Sequence, residues 1–146
     1  MNRREFVAQS CMACVGTAAF SSLLGSCAST RYINATMEEH GVSVPASEFT
    51  YVRNEKTFTR QFIVVSNDKL EFPIYLFRIS EKTYSALWMK CTHQGSELQA
   101  SGDHLYCPSH GSKFDKDGNV KHGPAEKNLR RFPVSDRGET LFIDLS

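Results

Sequence analysis

Charge of one sign is the first thing the chain lacks. Its 146 residues hold 17 Lys and Arg against 16 Asp and Glu, with no block of like charges. Bulk electrostatics therefore imply neither nucleic acid nor an acidic partner. From Phe49 onward no run has a convincing 3.6-residue apolar period, which argues against a helical body. Internal repeats and low-complexity segments are missing, which excludes solenoids and arrays. No nucleophile–base pair is visible, so catalysis by this chain alone is not indicated. No disulfide framework is suggested either, because the five cysteines segregate: Cys11, Cys14 and Cys27 in the first 27 residues, Cys91 and Cys107 in the body. The length suits one domain.

The first residues read as an address. Met1-Asn2-Arg3-Arg4-Glu5-Phe6-Val7 begins basic, and a modest apolar stretch follows from Val7 to Leu24, the build of an export signal. Arg3-Arg4 followed closely by Phe6 and Val7 resembles the twin-arginine signal. The alternative is that Arg3 and Arg4 are only the basic flank of any signal. Leu24-Gly25-Ser26-Cys27 resembles the lipobox of bacterial lipoproteins, which predicts lipidation at Cys27 and a cut before it. Two alternatives are an uncleaved N-terminal membrane anchor and release after a cut elsewhere. The stretch contains Gln9, Ser10, Ser21 and Ser22 and falls short of the ~20 predominantly apolar residues of a membrane span. Cys11-x-x-Cys14 lies inside this stretch without the context of a redox motif.

Residues 1–26 are thus expected to be signal, 27–45 a tether and 46–146 one domain. The polar, weakly patterned stretch from Ala28 to Pro45 reads as tether, although Tyr32 and Ile33 could dock somewhere. At ~3.3 Å per residue it would reach at most ~60 Å.

The body predicts an all-β fold of short strands. Gln61 to Val65 is one strand, closed by the Ser66-Asn67-Asp68 turn. Ile74 to Ile79, apolar on both parities apart from Arg78, suits a strand buried on both faces. Tyr84 to Met89 leads towards Cys91, and Leu105-Tyr106 leads into Cys107. Thr140 to Leu145 alternates as a half-buried edge after the Asp136-Arg137-Gly138 turn. Asp115, Asp117, Gly118 and Asn119 lack the spacing of a calcium loop and predict a tight turn.

Two segments carry chemistry: Cys91-Thr92-His93-Gln94-Gly95-Ser96 and Cys107-Pro108-Ser109-His110-Gly111-Ser112. Each offers a thiolate and an imidazole at a probable strand end. Gly95 and Gly111 can take φ > 0 so that the backbone folds tightly, and Pro108 stiffens the second loop. The facing loops would make a four-ligand cage of Cys91, His93, Cys107 and His110. Cys107 and His110 suit one zinc ion, but Cys91 and His93 are too close in sequence to chelate one comfortably. A binuclear 2Fe-2S cluster removes the difficulty, since neighbouring ligands can go to different irons.

These segments resemble the two boxes of the Rieske family, Cys-x-His-x-Gly and Cys-x-x-His-Gly-Ser. The likeness runs from about Phe72 to the C-terminus, and Gly123-Pro124-Ala125 resembles the family's proline loop over the cluster. It implies that Cys91 and Cys107 bind the inner iron and His93 and His110 the outer one, whose imidazole edges face the partner. It also implies that Ser112 hydrogen-bonds a bridging sulfide. His40, His104 and His122 match no motif position. Where many respiratory members have a bridging cysteine pair, this chain has Ser96 and Ser109, and Phe114 replaces a tyrosine that donates to a ligand sulfur. The lost tyrosine donor points to a potential below that of quinol-oxidising members, and both departures argue against a quinol-oxidising role.

The expected function is one-electron transfer by a periplasmic carrier or subunit, lipid-anchored at the membrane, swinging on its tether between redox donor and acceptor proteins. The alternatives are a quinol-oxidising subunit of a cytochrome bc-like complex and a zinc-stabilised lipoprotein without redox role. A Rieske oxygenase would need a large second domain with a mononuclear iron site.

Overall fold

The computed structural model describes residues 30–146. Arg3, Arg4, the apolar stretch, Cys11, Cys14 and the lipidation candidate Cys27 lie outside the described residues.

Short alternating or continuous apolar runs become short strands, and three sheets and a lone hairpin result. A central sheet has the order β1 (Tyr32–Asn34), β6 (Phe62–Ser66), β7 (Ile74–Arg78), β8 (Tyr84–Trp88), β13 (Arg131–Phe132). All its pairings are antiparallel except β1 with β6. A second sheet has the order β14 (Val134–Asp136), β15 (Thr140–Asp144), β3 (Gly41–Pro45), β2 (Thr36–Glu38). A third runs β12 (Val120–His122), β11 (Lys113–Asp115), β10 (His104–Tyr106), β9 (Gln99–Ser101). The hairpin of β4 (Thr50–Arg53) and β5 (Lys56–Thr59) stands apart from them.

The central sheet lies between two apolar layers, which is why β7 is apolar on both parities. Ile74 and Leu76 join Ile63, Val65, Val42, Val44, Leu141 and Ile143 on one side. Tyr75 and Phe77 join Val64, Leu87, Leu105, Phe114 and both body cysteines on the other. Each fully buried aliphatic or aromatic side chain contributes about 1.5–3 kcal/mol relative to exposure.

Two expectations need correction. The segment read as tether is folded into the domain across its described part: residues 32–45 supply β1, β2 and β3. Ile33 and Ala35 are buried, and Val42 and Val44 are fully so. The alternation of β3 puts both valines on the core face, where water cannot compete for them. Secondly, β15 is an interior strand, paired with β14 on one side and β3 on the other. Its alternation, with Leu141 and Ile143 inward, is as expected. The calcium-like segment is a tight turn in which the Asp115 carboxylate accepts the N–H groups of Asp117 and Asn119 at 3.0 and 2.9 Å.

Candidate metal centre

Strand β8 delivers Met89, Lys90 and then Cys91, and β10 delivers Cys107 directly. The two loops beyond them share one backbone frame. The Cys91 N–H donates to the Ser96 carbonyl at 2.8 Å and the Gly95 N–H to the Cys91 carbonyl at 2.9 Å. Cys107 with Ser112 and Gly111 with Cys107 repeat the same bonds at 2.8 and 2.9 Å. Closing each loop requires a left-handed residue, and Gly95 and Gly111 supply it at φ 76° and 81°. A side chain at Gly111 would meet no neighbour within 4 Å, so backbone conformation rather than crowding demands glycine there.

Within this frame the histidines occupy different steps, two residues after Cys91 and three after Cys107. The offset brings the imidazoles of His93 and His110 together edge-to-face, with centroids 4.9 Å apart and planes at 86°. Both cysteines are free and buried, at 2% and 1% exposure. His93 is half-buried and His110 exposed. The donor set is thus graded, with sulfurs on the core side and imidazoles towards the surface.

The residues fit a bridged iron pair. Buried polar atoms are normally hydrogen-bonded, yet His93 Nδ1 is buried without a partner. A ring nitrogen in that position has a lone pair free for a metal. Two buried thiols together with two imidazoles that meet edge-to-face match the ligation of a Rieske 2Fe-2S centre. Burial pushes the Cys107 thiol pKa up, but the backbone N–H groups of His110 and Ser109, with the Cys91 and Ser109 side chains, outweigh it and hold the value low. A thiol poised to ionise is a competent metal ligand.

The proline segment closes over the loops through two hydrogen bonds. The Ala125 N–H donates to Ser112 Oγ at 3.0 Å, and Thr92 Oγ1 donates to the Lys127 carbonyl at 2.6 Å. Ser112 is fully buried. Its oxygen accepts from Ala125, which leaves its own O–H proton to donate elsewhere. With serines at 96 and 109, the loops are joined through this segment rather than by a disulfide. Nothing in the sequence marks the Thr92–Lys127 contact, because the partner is a backbone carbonyl. Beside the first loop a groove of about 490 Å³ is lined by Trp88, Lys90, His93, Lys127 and Arg130. His40 and His122 are exposed and His104 is half-buried.

An all-β domain that presents thiols inward and imidazoles outward from paired loops belongs to the iron–sulfur electron-transfer class. The family described as Rieske 2Fe-2S domain matches residues 45–133. The chain is a member of the Rieske family, and its cofactor is a Rieske-type 2Fe-2S cluster. The match begins earlier than Phe72, so it takes in the hairpin and the whole central sheet apart from β1. The chain is 33% identical over 84 residues to the oxygenase component of dicamba O-demethylase from Stenotrophomonas maltophilia, covering 51% of this chain and 25% of that protein. It is 39% identical over 83 residues to the Rieske subunit of the mitochondrial cytochrome b-c1 complex of Gallus gallus, covering 54% and 30%. The shared region therefore spans less than a third of these relatives. The plasma membrane Rieske protein of the cyanobacterium Synechocystis PCC 6803 has a similar fold, with TM-score 0.51, 23% identity and coverage of 57% of this chain and 86% of that one.

Proposed function

We propose that this chain is a one-electron carrier or electron-transfer subunit on the periplasmic side of a bacterial membrane, anchored by lipid at Cys27, and that Cys91, His93, Cys107 and His110 hold its cluster. The ligand assignment rests above all on three observations: a buried His93 Nδ1 without a hydrogen-bond partner, two free buried thiols, and the edge-to-face pair of His93 and His110. A 2Fe-2S cluster bound there supplies a reversible one-electron couple. The chain's residues do the rest. Cys91 and Cys107 set the inner side of the site in the apolar layer around Phe114. His93 and His110 form its outer edge, within reach of a docked partner, and Ser112 offers a proton towards the site while holding the proline segment shut.

The reading is tested on the purified protein by metal and acid-labile sulfide analysis and by EPR after dithionite reduction. A rhombic Rieske-type signal is expected, and single changes of each of the four ligands should remove it. A zinc-loaded, iron-free protein would overturn the assignment. Export by the twin-arginine route is supported by Arg3-Arg4-Glu5-Phe6 and by the advantage of inserting the cluster before the thiols meet an oxidising compartment. Changing Arg3 and Arg4 together to Lys should block export, and unchanged export would refute the route.

Similarity to a b-c1 Rieske subunit supports a second reading, a quinol-oxidising subunit. Ser96, Ser109 and Phe114 weigh against it, and reduction of the purified protein by a quinol in the presence of its membrane partners would favour it.

A further inference from the structure

The two ends of the central sheet differ in kind. Phe62 pairs with Phe77 and Phe77 with Ser85, so Phe62 lies level with the start of β8, whereas Cys91 lies beyond its finish. Strand β1 runs parallel to β6 with Tyr32 opposite Val64, which brings Thr30 in at the Phe62 end, away from the cluster loops. Thr30 and Phe62 line a cleft of about 530 Å³ together with Tyr51, Arg53, Arg60 and Gly102.

At this end the β4–β5 hairpin projects with every strand residue exposed. Asn54 and Glu55, at φ 51° and 61°, form its tight tip. A two-stranded hairpin is marginal in water by itself, and this one carries Val52, Phe58 and Tyr51 at 69%, 41% and 36% exposure. Among the described residues the other exposed large hydrophobics are Tyr32, beside the entry, and Ile79, just past β7 at the same sheet end. None belongs to the cluster loops. Arg53, Lys56 and Arg60 lie on or beside the hairpin against Glu55, Arg31 and Glu48 cancel as a pair at 3.0 Å, and Arg78 and Lys82 stand against Glu81 and Asp103 at the same sheet end. Exposed aromatic and aliphatic side chains among an excess of cations make an interfacial surface suited to anionic lipid.

Chain length supplies the second argument. Only residues 28 and 29 separate Cys27 from Thr30, a span of about 10 Å when extended. An anchor at Cys27 would hold the Thr30 end against the bilayer, without the ~60 Å reach of a long tether.

We propose that the end of the domain formed by the β4–β5 hairpin and the Thr30 entry docks on an anionic lipid surface, leaving His93 and His110 directed away from the membrane. The inference rests on the anchored reading above. It makes the electron partner a protein whose redox centre is reached from the aqueous side, not a quinol inside the bilayer.

The test uses the full chain, cluster-loaded, purified from producing membranes and reconstituted into phosphatidylglycerol-containing vesicles with brominated acyl chains. The wild type has a single tryptophan, Trp88 at the cluster end of β8, which supplies the baseline. In Val52→Trp the added emission should be largely lost in brominated vesicles, while Trp88 emission in the wild type stays unquenched. Arg53→Glu with Lys56→Glu in the Val52→Trp background should restore that emission in anionic vesicles, with the Rieske EPR signal retained as the check on folding. Flotation with the vesicles without quenching of Val52→Trp overturns the docking face but leaves the anchor standing. Failure of the wild type to float overturns the anchor, and the docking face falls with it.

Discussion

Phe114 shows how one atom's absence can tune the site. It is fully buried in the layer that contains Cys91 and Cys107, and it has no hydroxyl to offer a sulfur. Donors aimed at sulfur favour the reduced, more negative cluster. In a one-electron couple each ~1.4 kcal/mol of such preference is worth ~59 mV. Phe114→Tyr should therefore raise the midpoint potential by tens of millivolts in protein-film voltammetry, and no rise would remove the hydrogen-bond argument. Ser112→Ala acts in the opposite direction. It leaves the buried Ala125 N–H unpaired at a cost of about 1–3 kcal/mol, so the denaturation midpoint should fall; it also removes the hydroxyl proton that the resemblance assigns to a bridging sulfide, so the potential should fall as well. Asp115 gives a pH effect. Burial pushes its carboxyl pKa up, but bonds from the Asn119 backbone and side chain, Lys121 and the Asp117 N–H outweigh it and hold the value low. A carboxyl whose folded pKa is depressed stabilises the fold above its unfolded value and loses that contribution as pH falls through the folded one. Urea midpoints should thus decline with acidification below about pH 4, and Asp115→Asn should flatten that part of the profile.

At the scale of elements, β3 explains why the amino-terminal segment misleads when read as sequence. Glu38-Glu39-His40-Gly41 looks like solvated linker, yet Glu38 pairs with Gly41 across a two-residue turn and starts the β2–β3 hairpin. Strands of three residues, such as β1 and β2, offer too few positions for a period to register. Gly41 is a place where the packing has no slack: a Cβ there would overlap the Ile143 carbonyl oxygen, a backbone atom that cannot rotate aside. Gly41→Ala should destabilise the domain by about 1–3 kcal/mol, the usual cost of overpacking, as read from chemical denaturation. An unchanged midpoint would mean that β3 and β15 separate without penalty. By contrast β7 is legible, since a run buried on both faces stands out as apolar whichever parity is inspected, Arg78 apart.

Across the whole molecule, the layer that stabilises the fold is also the floor of the site, because Cys91 and Cys107 pack with Leu87, Leu105 and Phe114. Cluster loading and stability are therefore coupled: a group that binds only the folded chain stabilises it by mass action. Removing iron with a chelator should lower Tm, and an apoprotein with the holoprotein's Tm would contradict the coupling. The short span before Thr30 bears on function at the same scale. Under the proposed anchoring at Cys27, the domain would be held close to the membrane and would exchange electrons with partners that come to it, rather than by swinging between two sites.

What the sequence determined by itself is the chemistry of the loops, because it is local: a cysteine, a histidine and a glycine within five residues constrain one turn whatever surrounds it. Tertiary structure decided which atoms meet. The encounter of His93 with His110, the closure of Ser112 and Thr92 onto residues 125 and 127, and the burial of Ile33 and Val42 all join residues far apart in the chain. Burial of a side chain depends on what the rest of the fold places over it, and no run of a few residues carries that information.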